Sequence, residues 1–220
     1  MEPMRHGYSH DTRGDGVTVV KRYAGPDADL RRRTERAALS ALVELLPVPR
    51  VRGATAPAGD LMMGHVAGAH GQDLIDEGHA AEVLWSCGVM LRRIQGVDPA
   101  VVFPGAGPGL VLVHGDYGPN NMLFDPRTFA VTAVLDWEWA HAGDPVDDLA
   151  WCEWIVRMHH PGATWAVGRL FEGYGRRPAW EERQRRWVAR CRGLIRTVRD
   201  DRAAVELWTE RLALTESWRE

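Results

Sequence analysis

The sequence predicts an α+β protein whose carboxyl-terminal half is helical. Short β-branched runs in the first third flank a segment with helical spacing. Three short apolar runs separated by turns then occupy residues 110–135. From residue 148 onward the pattern is helical and rich in tryptophan, with no strand-like alternation. This order, strands and a helix first, a hairpin-bearing middle, then helices, is typical of α+β folds rather than of parallel α/β sheets.

The first third contains elements with clear boundaries. Residues 17–23 (VTVVKRY) follow a Gly-Asp-Gly turn signal and predict a strand. Residues 29–46 place apolar side chains at helical spacing and stop before Pro47, so they predict a helix. Residues 60–66 (DLMMGHV) predict a second strand that leads into a glycine-rich connection. A second helix is predicted for residues 76–95.

The middle of the chain begins with a loop. Residues 99–109 are rich in proline and glycine, and their GAGPG stretch is followed by the strand-like LVLVH. A dinucleotide-binding turn should open a helix, so this stretch argues against such a site. Strands are expected at residues 110–114 and 130–135, with a short apolar run at 121–124 between them. Three or four helices should follow residue 148.

Composition limits the range of functions. The chain has 220 residues, 45% of them apolar and 26% charged, with a net charge of −3. These values fit one domain or two lobes around one cleft, and they argue against a dedicated nucleic-acid or anionic-membrane binder. The three cysteines are far apart, no signal peptide is evident, and no long apolar segment exists. We therefore expect reduced thiols and a cytoplasmic protein.

One basic residue stands apart. Among 27 basic residues, Lys21 is the single lysine. An ammonium and a guanidinium are not interchangeable at a tight phosphate site, because the lysine head group is a compact point charge. We therefore consider a functional role for Lys21, rather than that of an ordinary solvent-exposed strand residue.

The residues with the clearest chemistry lie between positions 111 and 150. Asp116 follows an apolar strand in HGD, Asn121 comes five residues later, and Asp136 ends another apolar strand in VLDWEW. Phosphoryl transfer needs a carboxylate that orients the acceptor hydroxyl and takes its proton. It also needs oxygen ligands for magnesium, which prefers carboxylate and amide oxygens. The three side chains supply both requirements if their loops converge.

The stretches HGDYGPNNMLFD and VLDWEWAHAGDPVDDLA closely resemble the aminoglycoside phosphotransferase family, whose relatives include the choline kinases and, more remotely, the protein kinases. The resemblance implies a two-lobed, protein-kinase-like fold with ATP between the lobes. A small β-rich lobe would span residues 1–66, and a larger, mainly helical catalytic and substrate lobe would span residues 67–220. The motif is specific, and the resemblance extends over nearly the whole chain.

Roles follow from the resemblance position by position. Asp116 matches the catalytic aspartate, whereas Asn121 and Asp136 match the Mg²⁺ ligands. His114 and Asp148 match positions that brace the catalytic loop without touching substrate.

The amino-terminal half supplies the implied nucleotide site. Lys21 matches the lysine that holds the α- and β-phosphates, and Glu35 matches its ion-pair partner. Met63, Gly64 and His65 would meet the adenine. The phosphate-covering turn would have to come from residues 6–12, since only 20 residues precede Lys21 and leave scant room for a first strand.

The acceptor is less defined. The resemblance favours an aminoglycoside or another hydroxylated amine, and a cationic acceptor needs acids along the cleft. Trp137 or Trp139 is a candidate to face the cleft beside Asp136. The candidate acids in the right half of the chain are Glu138, Asp147, Glu153 and Glu172.

Other hypotheses remain open. Family relatives act on choline, homoserine, sugars and macrolides, and a fold does not choose among such acceptors. A non-catalytic nucleotide-binding relative is a second hypothesis, because the phosphate-covering turn is so reduced. A third is nucleic-acid binding through the arginine-rich residues 183–202, although a solvated helical face is the better interpretation there. No zinc motif and no serine-hydrolase motif is present in the sequence.

Overall fold

The computed structural model of the protein describes residues 1–3, 11–25, 27–53 and 59–220. Within these ranges, the first sheet is antiparallel with strand order β1-β2-β3-β4. Its strands are β1 (Glu2–Pro3), β2 (Asp11–Gly14), β3 (Thr18–Arg22) and β4 (Asp60–Gly64). The scant room expected for a first strand thus still accommodates two short ones. The phosphate-covering turn predicted at residues 6–12 lies mostly outside the described residues.

Helix α1 (Ala28–Leu42) fixes the sheet to the rest of the molecule. Its buried positions, Glu35, Ala38, Leu39 and Leu42, recur at spacings of three and four residues and form one face. That face packs on the sheet and on the short 3₁₀ turn Trp137–Trp139. Glu35 is therefore a charged residue on the same buried face as the three apolar residues, at the end of that face nearest the cleft.

The middle of the chain forms two small antiparallel sheets and two helices. The sheet orders are β5-β7-β8 and β6-β9. The strands are β5 (Ala69–His70), β6 (Val111–Val113), β7 (Met122–Phe124), β8 (Val131–Val134) and β9 (His141–Gly143). The helices are α2 (Gly71–Asp76) and α3 (Ala80–Gln95). The ends of β6, β7 and β8 bring the motif residues towards one another.

Four further helices complete the described part of the chain: α4 (Val146–His159), α5 (Val167–Tyr174), α6 (Trp180–Thr197) and α7 (Arg202–Ser217). Two apolar cores result. The larger core joins α1, α3 and the small sheets, and the smaller one joins α4 to α6 and α7 around stacked tryptophans. No helix within the described ranges is long and apolar enough to cross a bilayer.

The predicted elements needed three corrections. The helix expected at residues 76–95 begins only at Ala80, and a separate helix, α2, ends at Asp76. Gly78 between them adopts φ 98°, a conformation that side-chain-bearing residues rarely adopt. The helix expected at 29–46 ends at Leu42, before Pro47 can act on it. The arginine-rich residues 183–202 are more than a solvated face, because Arg183 is fully buried.

The closest helix pair rests on two glycines. A Cβ at Gly88 of α3 would lie 2.1 Å from the carbonyl oxygen of Leu170, and one at Gly173 of α5 would lie 2.1 Å from that of Trp85. Both contacts are with backbone, which cannot rotate away. The two helices can therefore approach closely only because both positions lack a side chain.

We predict that Gly88→Ala destabilises the protein by about 1–3 kcal/mol, the usual cost of overpacking a core. Gly168→Ala is the matched control, because a Cβ there meets nothing within 4 Å. It should be neutral or stabilising by up to about 1 kcal/mol, since alanine is the better helix former. Urea unfolding measures both changes. Equal stability of the two variants would contradict the backbone contact between α3 and α5.

Candidate active site

A cavity of about 390 Å³ opens between the first sheet and the second part of the chain. One side is lined by Val19 and Lys21 of β3, by Met63 and Gly64 of β4, and by His65, which follows β4. The second side carries residues of the motif region, including Asn121, Leu135 and Asp136. The structure therefore brings the predicted nucleotide-side residues and both predicted metal ligands to one cavity.

Lys21 lies at the centre of a buried ionic cluster. Its Nζ lies 2.8 Å from Oε2 of Glu35, 2.9 Å from Oδ1 of Asp136 and 3.3 Å from Oε2 of Glu138. Burial by itself would lower the pKa of Lys21, but Glu35 and Asp136 outweigh it, and the pKa stands well above its ordinary value. The ammonium is therefore charged, and it joins β3, α1 and the turn after β8.

Glu35 is held from two sides. Its carboxylate accepts a hydrogen bond from Lys21 and another from the hydroxyl of Tyr23. Burial raises the pKa of the Glu35 carboxyl, and the neighbouring Lys21 ammonium opposes that rise. A carboxylate buried this deeply is costly unless its partners remain in place. The helix α1 is thereby fixed to the sheet through a charge pair as well as through its apolar stripe.

Asp136 ends β8 in an unusual conformation. Its backbone adopts φ 60° and ψ 55°, the left-handed region in which aspartate is among the better-tolerated side chains. The turn projects a carboxylate that is 41% exposed towards the cavity, within reach of Lys21. A partly exposed carboxylate facing a cavity, paired on one oxygen only by a lysine, can still accept a cation.

Hydrogen bonds made with the buried side chains of Asp148 and His114 hold the loop after β6 in place. Asp148 accepts hydrogen bonds from the backbone N–H groups of His114, at 2.6 Å, and Gly115, at 2.9 Å. The ring Nε2 of His114 lies 2.7 Å from the carbonyl oxygen of Leu135 and so links this loop to the end of β8. Burial raises the pKa of the Asp148 carboxyl, against the lowering effect of His114 and the two N–H donors. His114 and Asp148 therefore contact backbone and face away from the cavity.

Gly115 allows the loop to pass close to the backbone of Trp139. It adopts φ 85°, and a Cβ there would lie 2.3 Å from the carbonyl oxygen of Trp139. Both the conformation and the contact exclude other residues. The glycine of HGD thus sets the direction in which the next residue, Asp116, leaves the strand.

Asp116 is oriented by two donors. Nδ2 of Asn121 donates to its Oδ2 at 2.9 Å and to its backbone oxygen at 2.7 Å. The indole Nε1 of Trp151, on α4, donates to its Oδ1 at 2.8 Å. Each carboxylate oxygen retains a further lone pair, so the group can still accept a proton or a hydrogen bond.

The donor set fits a magnesium ion bound together with phosphate oxygens. Because the amide N–H of Asn121 donates to Asp116, its amide oxygen remains available to another partner, and Asp136 adds a carboxylate. Within the described ranges there is no cluster of three or more His, Cys, Asp or Glu that would hold a metal by protein ligands alone. Magnesium in nucleotide sites characteristically takes one or two protein oxygens and completes its shell with phosphate and water.

The predicted substrate-side residues do not line the cavity. Trp137 is fully buried and donates its indole N–H to the carbonyl of Val134, so it belongs to the core. Trp139 is the exposed one of the pair, but it does not line the cavity. Glu138 is buried against Lys21 and Arg31.

The prediction that Glu153 contacts the acceptor was also wrong. It is fully buried on α4, where Arg183 contacts both of its carboxylate oxygens and Arg157 lies at 2.9 Å. Glu172 is exposed on α5 and is paired with Arg169. Arg157 and Arg169 lie at the helical spacings i,i+4 and i,i+3 from their partners, whereas Arg183 lies 30 positions from Glu153, so spacing gave no sign of that pair.

Two contributors to the site carried no sequence signal. Trp151 supplies a donor to Asp116, and Arg190 of α6 donates to the carbonyl of Gly115 while its guanidinium lies 4.8 Å from the Trp151 ring. Trp151 directly follows GDPVDDLA, but the motif gives its indole no role. Only the fold of α4 and α6 over the catalytic loop shows this support.

The fold is kinase-like, as in solved structures of phosphotransferases. A family described as "Phosphotransferase enzyme family" matches residues 102–187. This region contains Asp116, Asn121 and Asp136. Together with the structural likenesses that follow, the match confirms the resemblance to the aminoglycoside phosphotransferases inferred from the motifs.

Solved structures share the fold at low sequence identity. The GDP complex of wild-type aminoglycoside 2'-phosphotransferase-IIIa is 11% identical, with a TM-score of 0.75, over 98% of this chain and 92% of that one. Aminoglycoside phosphotransferase APH(3'')-Id of Streptomyces rimosus, in complex with ADP and streptomycin, is 19% identical, with a TM-score of 0.62, over 79% and 85%. Macrolide 2'-phosphotransferase MphH of Brachybacterium faecium is 18% identical, with a TM-score of 0.61, over 95% and 92%.

Curated relatives match over shorter stretches. Acyl-CoA dehydrogenase family member 11 of Gallus gallus is 34% identical over 91 residues, which are 40% of this chain and 11% of that protein. Acyl-CoA dehydrogenase family member 10 of Mus musculus is 50% identical over 40 residues, 18% of this chain and 4% of that protein. The chain therefore spans about a tenth or less of these relatives, and their names describe much longer proteins.

We predict that Lys21→Met destabilises the fold by about 3–5 kcal/mol, because Glu35 would remain buried with its charge uncompensated. The double variant Lys21→Met, Glu35→Gln should recover most of that loss, since the neutral amide still accepts from Tyr23. Urea denaturation of both variants beside the Glu35→Gln single variant completes the cycle. Additive losses in the double variant would show that the ion pair does not join β3 to α1.

Proposed function

We propose that the protein transfers the terminal phosphate of a nucleoside triphosphate to a hydroxyl group of a small molecule. The observation that carries the proposal is the convergence of a carboxylate, an amide and an ammonium on one cleft. Asp116 and Asn121 are hydrogen-bonded to each other, and Asn121 shares a cavity with Lys21 and Asp136. Phosphoryl transfer depends on such positioning and charge stabilisation rather than on covalent help from the protein.

In this proposal Asp116 orients the acceptor hydroxyl and takes its proton. The donors Asn121 and Trp151 hold the carboxylate in one orientation, which supports an in-line approach of the acceptor oxygen. His114 and Asp148 hold the backbone of the same loop.

The nucleotide would occupy the cavity, with its base beside Met63, Gly64 and His65. Lys21 would pair with its phosphates, and Asn121 and Asp136 would hold Mg²⁺, which neutralises charge on the phosphate oxygens when it is bound. Because Lys21 and Asp136 contact each other at 2.9 Å, phosphate binding has to share or replace that contact. Structural neighbours named as GDP and ADP complexes support a nucleotide site and leave ATP and GTP as alternatives; we propose ATP.

The acceptor is a small molecule with a hydroxyl group. Neighbours named for aminoglycosides and macrolides support this class. The expectation of a hydroxylated amine relied on acids along the cleft, and all four of these acids are paired with arginines or belong to the Lys21 cluster. Choline-, homoserine- and sugar-type acceptors therefore stand beside the aminoglycosides as candidates.

A non-catalytic nucleotide-binding protein is the alternative from another class. Such a protein would lack one of the base or metal residues, whereas all of them are present here. A thermal-shift comparison with ATP and GTP, with and without Mg²⁺, separates the two cases when it is combined with turnover. Magnesium-dependent stabilisation without any phosphorylated product would favour the non-catalytic alternative.

We predict that Asp116→Asn lowers kcat by about 10²–10⁴-fold, the usual contribution of a general base, with little change in nucleotide affinity. Asp136→Ala should abolish the magnesium-dependent part of nucleotide binding and leave the fold intact, because Glu35 and Glu138 still contact the Lys21 ammonium. Nucleotide consumption over a panel of hydroxylated amines, sugars and antibiotics gives the rates, and calorimetry gives the affinities. Asp200→Asn, at an exposed position in the turn between α6 and α7, is the control. Wild-type rates in Asp136→Ala would refute the assignment.

A further inference from the structure

The proposed base Asp116 is supported by a helix that carries none of the motif residues. Arg190 of α6 donates to the carbonyl oxygen of Gly115, the residue directly before Asp116. Its guanidinium also lies 4.8 Å from the centre of the Trp151 ring, and Nε1 of that ring donates to Oδ1 of Asp116 at 2.8 Å. One side chain therefore contacts both the backbone that carries the proposed base and the donor that orients its carboxylate.

The packing of α6 on α4 fixes the position of this guanidinium. Trp187 is fully buried, and its Nε1 donates to the carbonyl oxygen of Ala150 on α4 at 2.6 Å. Residues three apart share one face of a helix. The contact of Trp187 with Ala150 therefore places Arg190 beside the next residue of α4, Trp151.

The Trp151 ring has little freedom to rotate. It is 5% exposed, and it stacks with Trp154 at 4.3 Å between ring centres, with the two planes inclined by 6°. The guanidinium of Arg190 lies over the same indole. Because these contacts restrict the ring, its N–H keeps pointing at one oxygen of Asp116.

Arg190 borders a cavity instead of filling a close-packed core. This second cavity, about 220 Å³ in volume, is also lined by Gly115, Asp148 and Trp151. Loss of the guanidinium would enlarge the cavity and remove one partner from the loop carbonyl and one from the indole. The contacts of Arg190 are thus with the parts of the molecule that set the direction of Asp116.

We propose that Arg190 is a positioning residue for Asp116, which it orients through the carbonyl of Gly115 and the indole of Trp151. This inference rests on the proposed function, because it takes Asp116 as the group that receives the hydroxyl proton. Arg190 does not line the nucleotide cavity, so it should influence kcat and leave binding little changed. It lies beyond residues 102–187, and the family match therefore gives it no role.

The indole proton of Trp151 reports the orientation without any substrate. In a ¹H–¹⁵N spectrum of the full chain, the ten tryptophans give ten indole cross-peaks, and the peak missing from Trp151→Phe is that of Trp151. Asp116→Ala gives the reference without an acceptor. Arg190→Gln should move the peak towards that reference and speed exchange of its proton with water about tenfold or more, because the hydrogen bond opens more often.

A matched variant on the same helix separates positioning from support of the fold. Arg192→Gln, at an exposed position paired with Glu216, should leave the Trp151 peak and its exchange rate unchanged. If Arg190 only supported the fold, Arg190→Gln would lower the urea midpoint and leave the peak in place. An unmoved peak, or an equal movement in Arg192→Gln, would overturn the proposal.

Turnover separates orientation from binding. With ATP and the panel compound that is phosphorylated fastest, Arg190→Gln should lower kcat about 10–100-fold, as expected for a slightly misplaced reacting group. Both KM values should stay within about threefold of wild type. Trp151→Phe keeps a ring and removes the donor, so it should give a similar loss. The double variant should lose clearly less than the product of the two single losses, because both residues act on one carboxylate. Multiplicative losses, or a raised KM with unchanged kcat, would contradict the positioning role.

Chemical rescue tests whether the planar cation itself is required. Arg190→Ala leaves room for a small molecule beside the second cavity. Millimolar guanidinium chloride should raise kcat of this variant severalfold, whereas urea, a neutral molecule of the same planar shape, should not, since the ring contact needs the charge. Equal effects of the two compounds, or no effect of guanidinium, would also overturn the proposal.

Failure of this inference and failure of the proposed function are distinguishable. If the wild-type protein phosphorylates no compound of the panel, the proposed function fails, and the Trp151 peak still shows whether Arg190 orients Asp116. If the wild type turns over and Arg190→Gln keeps its kcat, only the positioning role is contradicted.

Discussion

The buried ammonium of Lys21 is the interaction on which the site depends. It contacts Glu35 of α1 and Asp136 at the end of β8, and these residues lie 14 and 115 positions away along the chain. A buried charge is stable only while its counter-charges stay in place. The sheet, the helix and the motif loop are therefore held together by a contact that, in the proposed function, also positions the ammonium and a carboxylate beside the nucleotide phosphates.

A second support comes from the carboxyl-terminal helices. Asp148 at the start of α4 fixes the backbone of the loop, and Trp151, one turn later, fixes the carboxylate of Asp116. Arg190 of α6 packs on Trp151 and reaches the loop carbonyl at Gly115. The tryptophan-rich core thus does more than bury apolar surface, because its first indole is part of the arrangement around the proposed base. This gives the cluster of stacked rings a direct link to catalysis.

The distribution of charge separates the two sides of Asp116. On the cleft side the structure offers an ammonium and oxygen donors, as a magnesium-bound polyphosphate requires. On the other side Trp151 donates to the carboxylate, and the acids Asp147 and Glu153 are paired with arginines. A fold shared with aminoglycoside and macrolide phosphotransferases does not by itself define the acceptor, since one fold hosts many substrates.

The sequence by itself determined the α+β order, most strand positions and the motif residues Asp116, Asn121 and Asp136, because these follow from local spacing and from a specific motif. It also singled out Lys21 and Glu35. Only the tertiary structure decided which acids remain available, since the partners of Glu153 and Glu138 come from distant elements. It likewise revealed Trp151 and Arg190 beside the site. Their roles arise from helix packing, which brings together side chains that no periodicity relates.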